Sequence, residues 1–106
     1  GHRRDPEAYA RALRDFDEAL PRFQEALGPE DLLIITADHG CDPTFSGTDH
    51  TREYAPLLAW RPGLSGHSHL GDLETFSDIA ATISDFFGLA ERYGAHSFLR
   101  DLEDLA

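Results

Sequence analysis

Leu32-Leu33-Ile34-Ile35 runs without a polar residue straight into Thr36-Ala37-Asp38-His39-Gly40. The stretch from Leu32 to Thr36 is too short and too uniformly apolar for an amphipathic helix, and its Ile pair favours a strand buried on both faces, as in a parallel sheet. Residues just beyond such a strand stand at its carboxyl end, where open α/β sheets keep their functional sites. Asp38 and His39 occupy that place, and Gly40 eases the turn that lets both side chains reach one cleft. Ala37 to Arg52 is rich in Gly, Asp, Pro, Ser and Thr, which is loop chemistry, and it carries a second imidazole in Asp49-His50-Thr51-Arg52-Glu53. Mixed oxygen and nitrogen donors from a strand end and its loop suit Zn²⁺ or Mn²⁺. A single Asp-His pair is more often a turn with a surface imidazole. Three such residues in one loop favour a divalent-metal site.

The elements on either side are set by local patterns. Asp5-Pro6-Glu7 combines a capping side chain, Pro at the first helical position and an acidic first turn, so a helix starts there. Tyr9, Leu13, Phe16, Leu20 and Phe23 recur along one face of it and predict a stripe packed inward. Pro21 predicts a kink or restart before Gly28-Pro29 ends the helix. Ala55 to Trp60 reads as a second strand, closed by the turn residues Arg61-Pro62-Gly63, and a polar loop runs to Gly71. Thr75-Phe76-Ser77-Asp78 has the form of a capping box. It opens a helix whose stripe of Phe76, Ile79, Ala80, Ile83, Phe86 and Phe87 stops at Gly88. The tail from His96 to Ala106 admits either a short strand or a helix, with Asp101, Glu103 and Asp104 on a solvated surface. Helix, strand, strand, helix, with chemistry after a buried strand, fits part of an α/β sandwich.

A chain of 106 residues with 41% apolar content is long enough for one domain. Gly1-His2-Arg3-Arg4-Asp5 shows neither an initiator Met nor a signal peptide, and the chain reads as a piece of a longer protein. Nine Arg and no Lys against 20 Asp and Glu give a formal net charge of −11, which repels a phosphate backbone and argues against nucleic acid as a partner. A small phosphorylated ligand held locally by metal and Arg stays compatible with that charge. No apolar stretch approaches the roughly 20 residues that span a bilayer. The lone Cys41 has no internal disulfide partner, which points to a reducing, cytoplasmic compartment.

Other candidate residues have plainer readings. His67 and His69 sit in a Ser/Gly loop and His96 precedes the tail, and all three are expected to be solvated; the i, i+2 spacing of His67 and His69 could chelate a metal weakly, but no carboxylate or third imidazole is placed beside them. Cys41, close to the Asp38-His39 pair, could be a soft ligand or nucleophile, but is read as a small buried or semi-exposed thiol, since only the proposed metal would lower its pKa. Arg3, Arg4 and Arg52 could contact a phosphate or equally pair with Asp5 and Glu53, and no catalytic role is assigned to them.

Taken in order, Gly1-His2-Arg3-Arg4-Asp5, Ile34-Ile35-Thr36-Ala37-Asp38-His39-Gly40, Asp42-Pro43-Thr44, Gly47-Thr48-Asp49-His50-Thr51-Arg52-Glu53 and Pro56-Leu57-Leu58 resemble the carboxyl-terminal signature of the phosphopentomutases, in the alkaline phosphatase superfamily. Glu74 to Ile83 and Ser97-Phe98-Leu99 extend the resemblance nearly end to end. Ala-Asp-His-Gly alone implicates only the superfamily, which includes the cofactor-independent phosphoglycerate mutases; the Gly-His-Arg-Arg-Asp and Asp-His-Thr-Arg-Glu pieces narrow it. The resemblance implies an alkaline-phosphatase-like α/β sandwich with a largely parallel central sheet, of which this chain supplies the carboxyl-terminal part of the catalytic core. It implies that Asp38 and His39 bind one of two Mn²⁺ ions and that His2 and His50 bind the other. A phosphorylated Thr nucleophile, further carboxylate ligands and a cap domain would lie upstream, so the isolated chain is expected to be inactive. The implied reaction interconverts ribose 1-phosphate and ribose 5-phosphate, or their deoxy forms. Another two-metal phosphatase or mutase of the superfamily, and a non-catalytic metal-binding module, are the alternatives.

Overall fold

The computed structural model describes residues 5–40, 42, 44, 54–89 and 94–105. The chain divides into two compact units, Gly1–Pro62 and Gly63–Ala106.

In the first unit, α1 spans Pro6–Ala26. Its amino end forms as the sequence dictates: the Ala8 N–H donates to the Asp5 carboxylate at 3.0 Å, Pro6 occupies the first turn and Glu7 lies beside the helix dipole. Pro21 sits inside the helix and does not end it. The bond it forfeits is to the carbonyl of Asp17, an exposed residue where water can take the place of the missing N–H. The helix stops at Ala26. The Gly28 N–H then donates to the Asp31 carboxylate at 2.7 Å, and the Asp31 N–H returns to the Gly28 carbonyl at 3.1 Å, which turns the chain towards the first strand.

The expected inward stripe of α1 is not covered. None of the helix is buried, and Leu13, Phe16 and Phe23 are 58%, 45% and 54% exposed. Phe16 and Phe23 stack with ring centroids 6.4 Å apart, which shelters part of each ring without burying either. Periodicity identifies which face is apolar; it does not say that the packing partner is present.

Strand β1, Leu33–Thr36, pairs with β2, Leu57–Trp60, in the register Leu33↔Trp60 to Thr36↔Leu57. The pair is antiparallel, and β1 is half-buried where the sequence predicted a strand covered on both faces in a parallel arrangement. A run of four apolar residues carries no information about the direction of its neighbour, and an antiparallel sheet needs only one covered face. β2 begins two residues later than the apolar run, because Pro56 has no N–H to give to a ladder.

In the second unit, α2 spans Ser77–Phe86 and α3 spans Leu99–Glu103, so the tail that the sequence left open is helical. The small core consists of Ala81, Phe98, Leu99 and Leu102. α2 starts at the expected place without a capping box: the Thr75 hydroxyl accepts from the Ser77 N–H at 3.2 Å, and no side chain caps the first turn. Asp78, which the box would have used, instead accepts the His96 N–H at 3.1 Å. At the other end, Gly88 takes φ +73° and donates to the Asp85 carbonyl, while the Leu89 N–H reaches the Ser84 carbonyl at 2.8 Å, a glycine-terminated Schellman closure.

The face that α2 buries also differs from the apolar stripe. Asp78, Ala81, Thr82 and Ser84 are buried, whereas Phe76, Ile83 and Phe87 are exposed. The reason lies in what covers the helix. Residues 96–98 form no ladder, so N–H groups that pack against α2 need side-chain partners. The Thr82 hydroxyl donates to the Asp78 carbonyl at 2.8 Å and accepts the Phe98 N–H at 2.9 Å, and the Ser97 hydroxyl donates to the Asp85 carboxylate at 2.8 Å. Polar residues therefore face inward here. The Ser65 N–H donates to the Leu105 carbonyl at 2.7 Å, joining the two ends of this unit.

Candidate metal centre

The chain leaves β1 at Thr36 and bends through Asp38 and His39 to the buried Gly40. The His39 ring nitrogen Nδ1 lies 2.6 Å from the Gly40 carbonyl oxygen. A carbonyl only accepts, so Nδ1 carries the hydrogen, and in the neutral ring the lone pair is then on Nε2. That atom lies 3.6 Å from Oδ1 of Asp38. Two donors bound to one cation at about 2.1 Å stand roughly 3.0–3.4 Å apart at tetrahedral or octahedral angles. The pair is therefore within a few tenths of an ångström of the spacing that two donors to one divalent ion take. The His39 side chain is 26% exposed and that of Asp38 is 91% exposed, so the imidazole is held by its surroundings while the carboxylate has room to adjust.

Two further interactions brace the same segment, and neither was singled out from the sequence. Asp42 accepts from both the Thr44 hydroxyl, at 2.6 Å, and the Thr44 N–H, at 2.9 Å. These two bonds, the hydroxyl first and the amide second, hold the Asp42 carboxyl below the usual carboxylate range, against a smaller opposing effect of desolvation. The signal was legible as Asp-x-Thr, the pattern of a side chain closing its own turn two residues on. At the root of the loop, the Thr36 hydroxyl donates to the Pro56 carbonyl at 2.7 Å.

Of the residues that the sequence nominated, Asp38 and His39 lie beyond the end of β1 with their side chains 3.6 Å apart. His2, His50, Cys41, Arg3, Arg4 and Arg52 lie outside the described residues. Among the described residues no group of three or more His, Cys, Asp or Glu is placed to hold a metal. His67, His69 and His96 are exposed, as the sequence predicted, and the His69 ring accepts the Gly71 N–H at 3.1 Å. No helix among the described residues is long and apolar enough to cross a membrane.

The metalloenzyme superfamily matches residues 1–91. Among curated relatives, a phosphopentomutase of Caldanaerobacter subterraneus subsp. tengcongensis is 54% identical over 102 residues, which is 96% of this chain and 26% of the relative. A phosphopentomutase of Anaeromyxobacter sp. (strain K) is 52% identical over the same shares of both chains. A third, from Clostridium perfringens (strain SM101 / Type A), is 57% identical over 89 residues, 84% of this chain and 22% of the relative. The chain thus spans about a quarter of the length of the curated relatives it matches.

Proposed function

The chain belongs to the metalloenzyme superfamily, and from that membership we propose that it is the carboxyl-terminal part of the catalytic core of a phosphopentomutase. The observation that supports this most directly is identity of 54% over 96% of the chain to a protein of that name. In this reading the full-length protein interconverts ribose 1-phosphate and ribose 5-phosphate, or the deoxy pair, by phosphoryl transfer through a phosphorylated Thr outside this chain. Residues 1–106 complete an alkaline-phosphatase-like sandwich, with β1 and β2 joining a larger and largely parallel central sheet. The half-covered β1 and the exposed stripe of α1 are consistent with that larger core. The lone Cys41 favours the cytoplasm.

Asp38 and His39 would hold one divalent ion, and His2 and His50 would contribute to a second, with Mn²⁺ the preferred metal. Divalent ions held by these residues would supply charge neutralisation at the phosphoryl oxygens during transfer. The chain's own residues do the positioning. The Gly40 carbonyl holds the Nδ1 hydrogen of His39, so Nε2 presents its lone pair on the same side as the Asp38 carboxylate. The Asp42 carboxylate ties Thr44 through its hydroxyl and its N–H two residues beyond Gly40.

The test is intact mass and metal analysis of the full-length protein, followed by an assay of ribose 1-phosphate conversion. About two equivalents of metal per chain and turnover that disappears on chelation are the expected results. A metal-loaded full-length protein that leaves both pentose phosphates unchanged would sink the assignment. The same outcome with a different phosphate ester consumed would reassign it within the superfamily.

A further inference from the structure

We infer that Thr36 is a positioning residue for the metal centre, acting through the hydrogen bond its hydroxyl gives to Pro56. The inference rests on the metal-centre reading for its consequence, and on the loop's geometry for its cause. Thr36 is the last residue of β1 and pairs with Leu57, the first of β2. The next ladder step would join Ala37 to Pro56, and Pro56 has no N–H to offer. The ladder ends at the Thr36–Leu57 pair, at the mouth of the loop that begins with Asp38 and His39. The Thr36 hydroxyl, 2.7 Å from the Pro56 carbonyl, adds a side-chain bond across that mouth beyond the last ladder pair. Asp38 and His39 stand two and three residues beyond Thr36, so a shift at this root is passed directly to both side chains.

A side-chain hydroxyl with this duty has two separable properties. Its β-branched shape supports the strand, and its oxygen ties the root. Thr36→Val keeps the first and removes the second; Thr36→Ser keeps the second and removes a methyl group. In the full-length protein titrated with Mn²⁺ alone, Thr36→Val is expected to bind about three- to tenfold more weakly, the scale of one neutral hydrogen bond. Thr36→Ser is expected to bind like the parent. In the metal-free proteins, amide hydrogen exchange at residues 37–40 and 54–56 is expected to quicken in Thr36→Val and not in Thr36→Ser. Unchanged affinity with unchanged exchange in Thr36→Val would overturn the inference. So would a Thr36→Ser variant that loses as much affinity as Thr36→Val, since the methyl group and not the hydroxyl would then be responsible. If Thr36→Val does not fold, Thr36→Ser is read against Thr36→Ala, which differs from it only by the hydroxyl: an about three- to tenfold weaker Thr36→Ala supports the inference and equal affinities of the two overturn it. A parent that binds no Mn²⁺ would defeat the metal-centre reading, while the exchange measurement would still decide whether Thr36 ties the loop.

Discussion

Phe98, Leu99 and Leu102 are buried in the carboxyl-terminal unit, where α2 and α3 meet, whereas Leu13, Phe16 and Phe23 of the amino-terminal unit stand about half exposed on a helix with no buried residue. Both sets are large and apolar, and both lie in or beside well-formed helices. The difference is in what the backbone around them needs. Residues 96–98 have no ladder of their own, and α2 supplies polar side chains that accept the N–H groups of His96 and Phe98; the neighbouring apolar residues are drawn in with them. α1 satisfies most of its backbone within itself, with Asp5 capping its start and water able to reach the exposed carbonyl that Pro21 leaves. A helix complete in its hydrogen bonds can form with its apolar face still waiting, while an irregular segment cannot be buried until its partners are in place. Among the described residues, the candidate metal centre belongs to the unit without a buried large apolar side chain, and the small core belongs to the other, which still leaves Phe76, Ile83 and Phe87 exposed.

The strongest challenge to this contrast is functional. If the chemistry resides in the amino-terminal unit, Asp38→Asn in the full-length protein lowers turnover by about a hundredfold or more, because an amide is a poor ligand for a hard cation. Steady-state kinetics with saturating Mn²⁺ would show it, and near-normal turnover would remove Asp38 from the metal centre. A pair of substitutions sharpens the packing side of the comparison. Phe98→Ala should destabilise the carboxyl-terminal unit by about 3–5 kcal/mol, as removal of a buried aromatic does. Phe16→Ala in the 106-residue chain should change stability by no more than about 0.5 kcal/mol, because the ring is already near water. Denaturant titration followed by circular dichroism distinguishes the two, and equal losses would break the contrast.

Much of this was readable in the residues. The start of α1, the strand before Asp38, the glycine that ends α2 and the pairing of Asp38 with His39 all rest on interactions within a few residues, where sequence pattern and geometry coincide. What was not readable depends on partners far along the chain. Nothing in Thr75 to Asp78 reveals that Asp78 will serve His96 instead of a capping turn, because that choice is made by a segment eighteen residues away. The antiparallel direction of β2 and the exposure of Phe76, Ile83 and Phe87 are of the same kind. Thr36 was overlooked because its role depends on a proline twenty residues later.

Thr82 offers a finer probe of why the carboxyl-terminal unit closes on itself. Thr82→Val keeps the shape and removes the oxygen that accepts the Phe98 N–H, leaving a buried amide without a partner. A loss of about 1–3 kcal/mol is expected, with hydrogen exchange at residue 98 accelerated in step. If stability holds, the apolar contacts and not the polar ones close this unit. The smallest expected effect concerns the turn beyond Gly40. Asp42 has its carboxyl depressed by Thr44, so the turn's contribution is present above the ordinary carboxylate range and is lost as pH falls through the lowered value. An NMR titration should place the Asp42 midpoint below that of a Thr44→Ala variant. Coincident midpoints would mean that the two bonds at Asp42 do not persist in solution.

The bond between the Ser65 amide and the Leu105 carbonyl bears on how the carboxyl-terminal stretch can be handled. A segment with a hydrogen bond between residues close to its two ends can be cut out, transplanted or rejoined end to end with only a short connector, since bringing its ends together costs little additional chain entropy. That makes residues 63–105 a natural unit to excise when building a minimal module, and a place to move the chain's breaks by circular permutation.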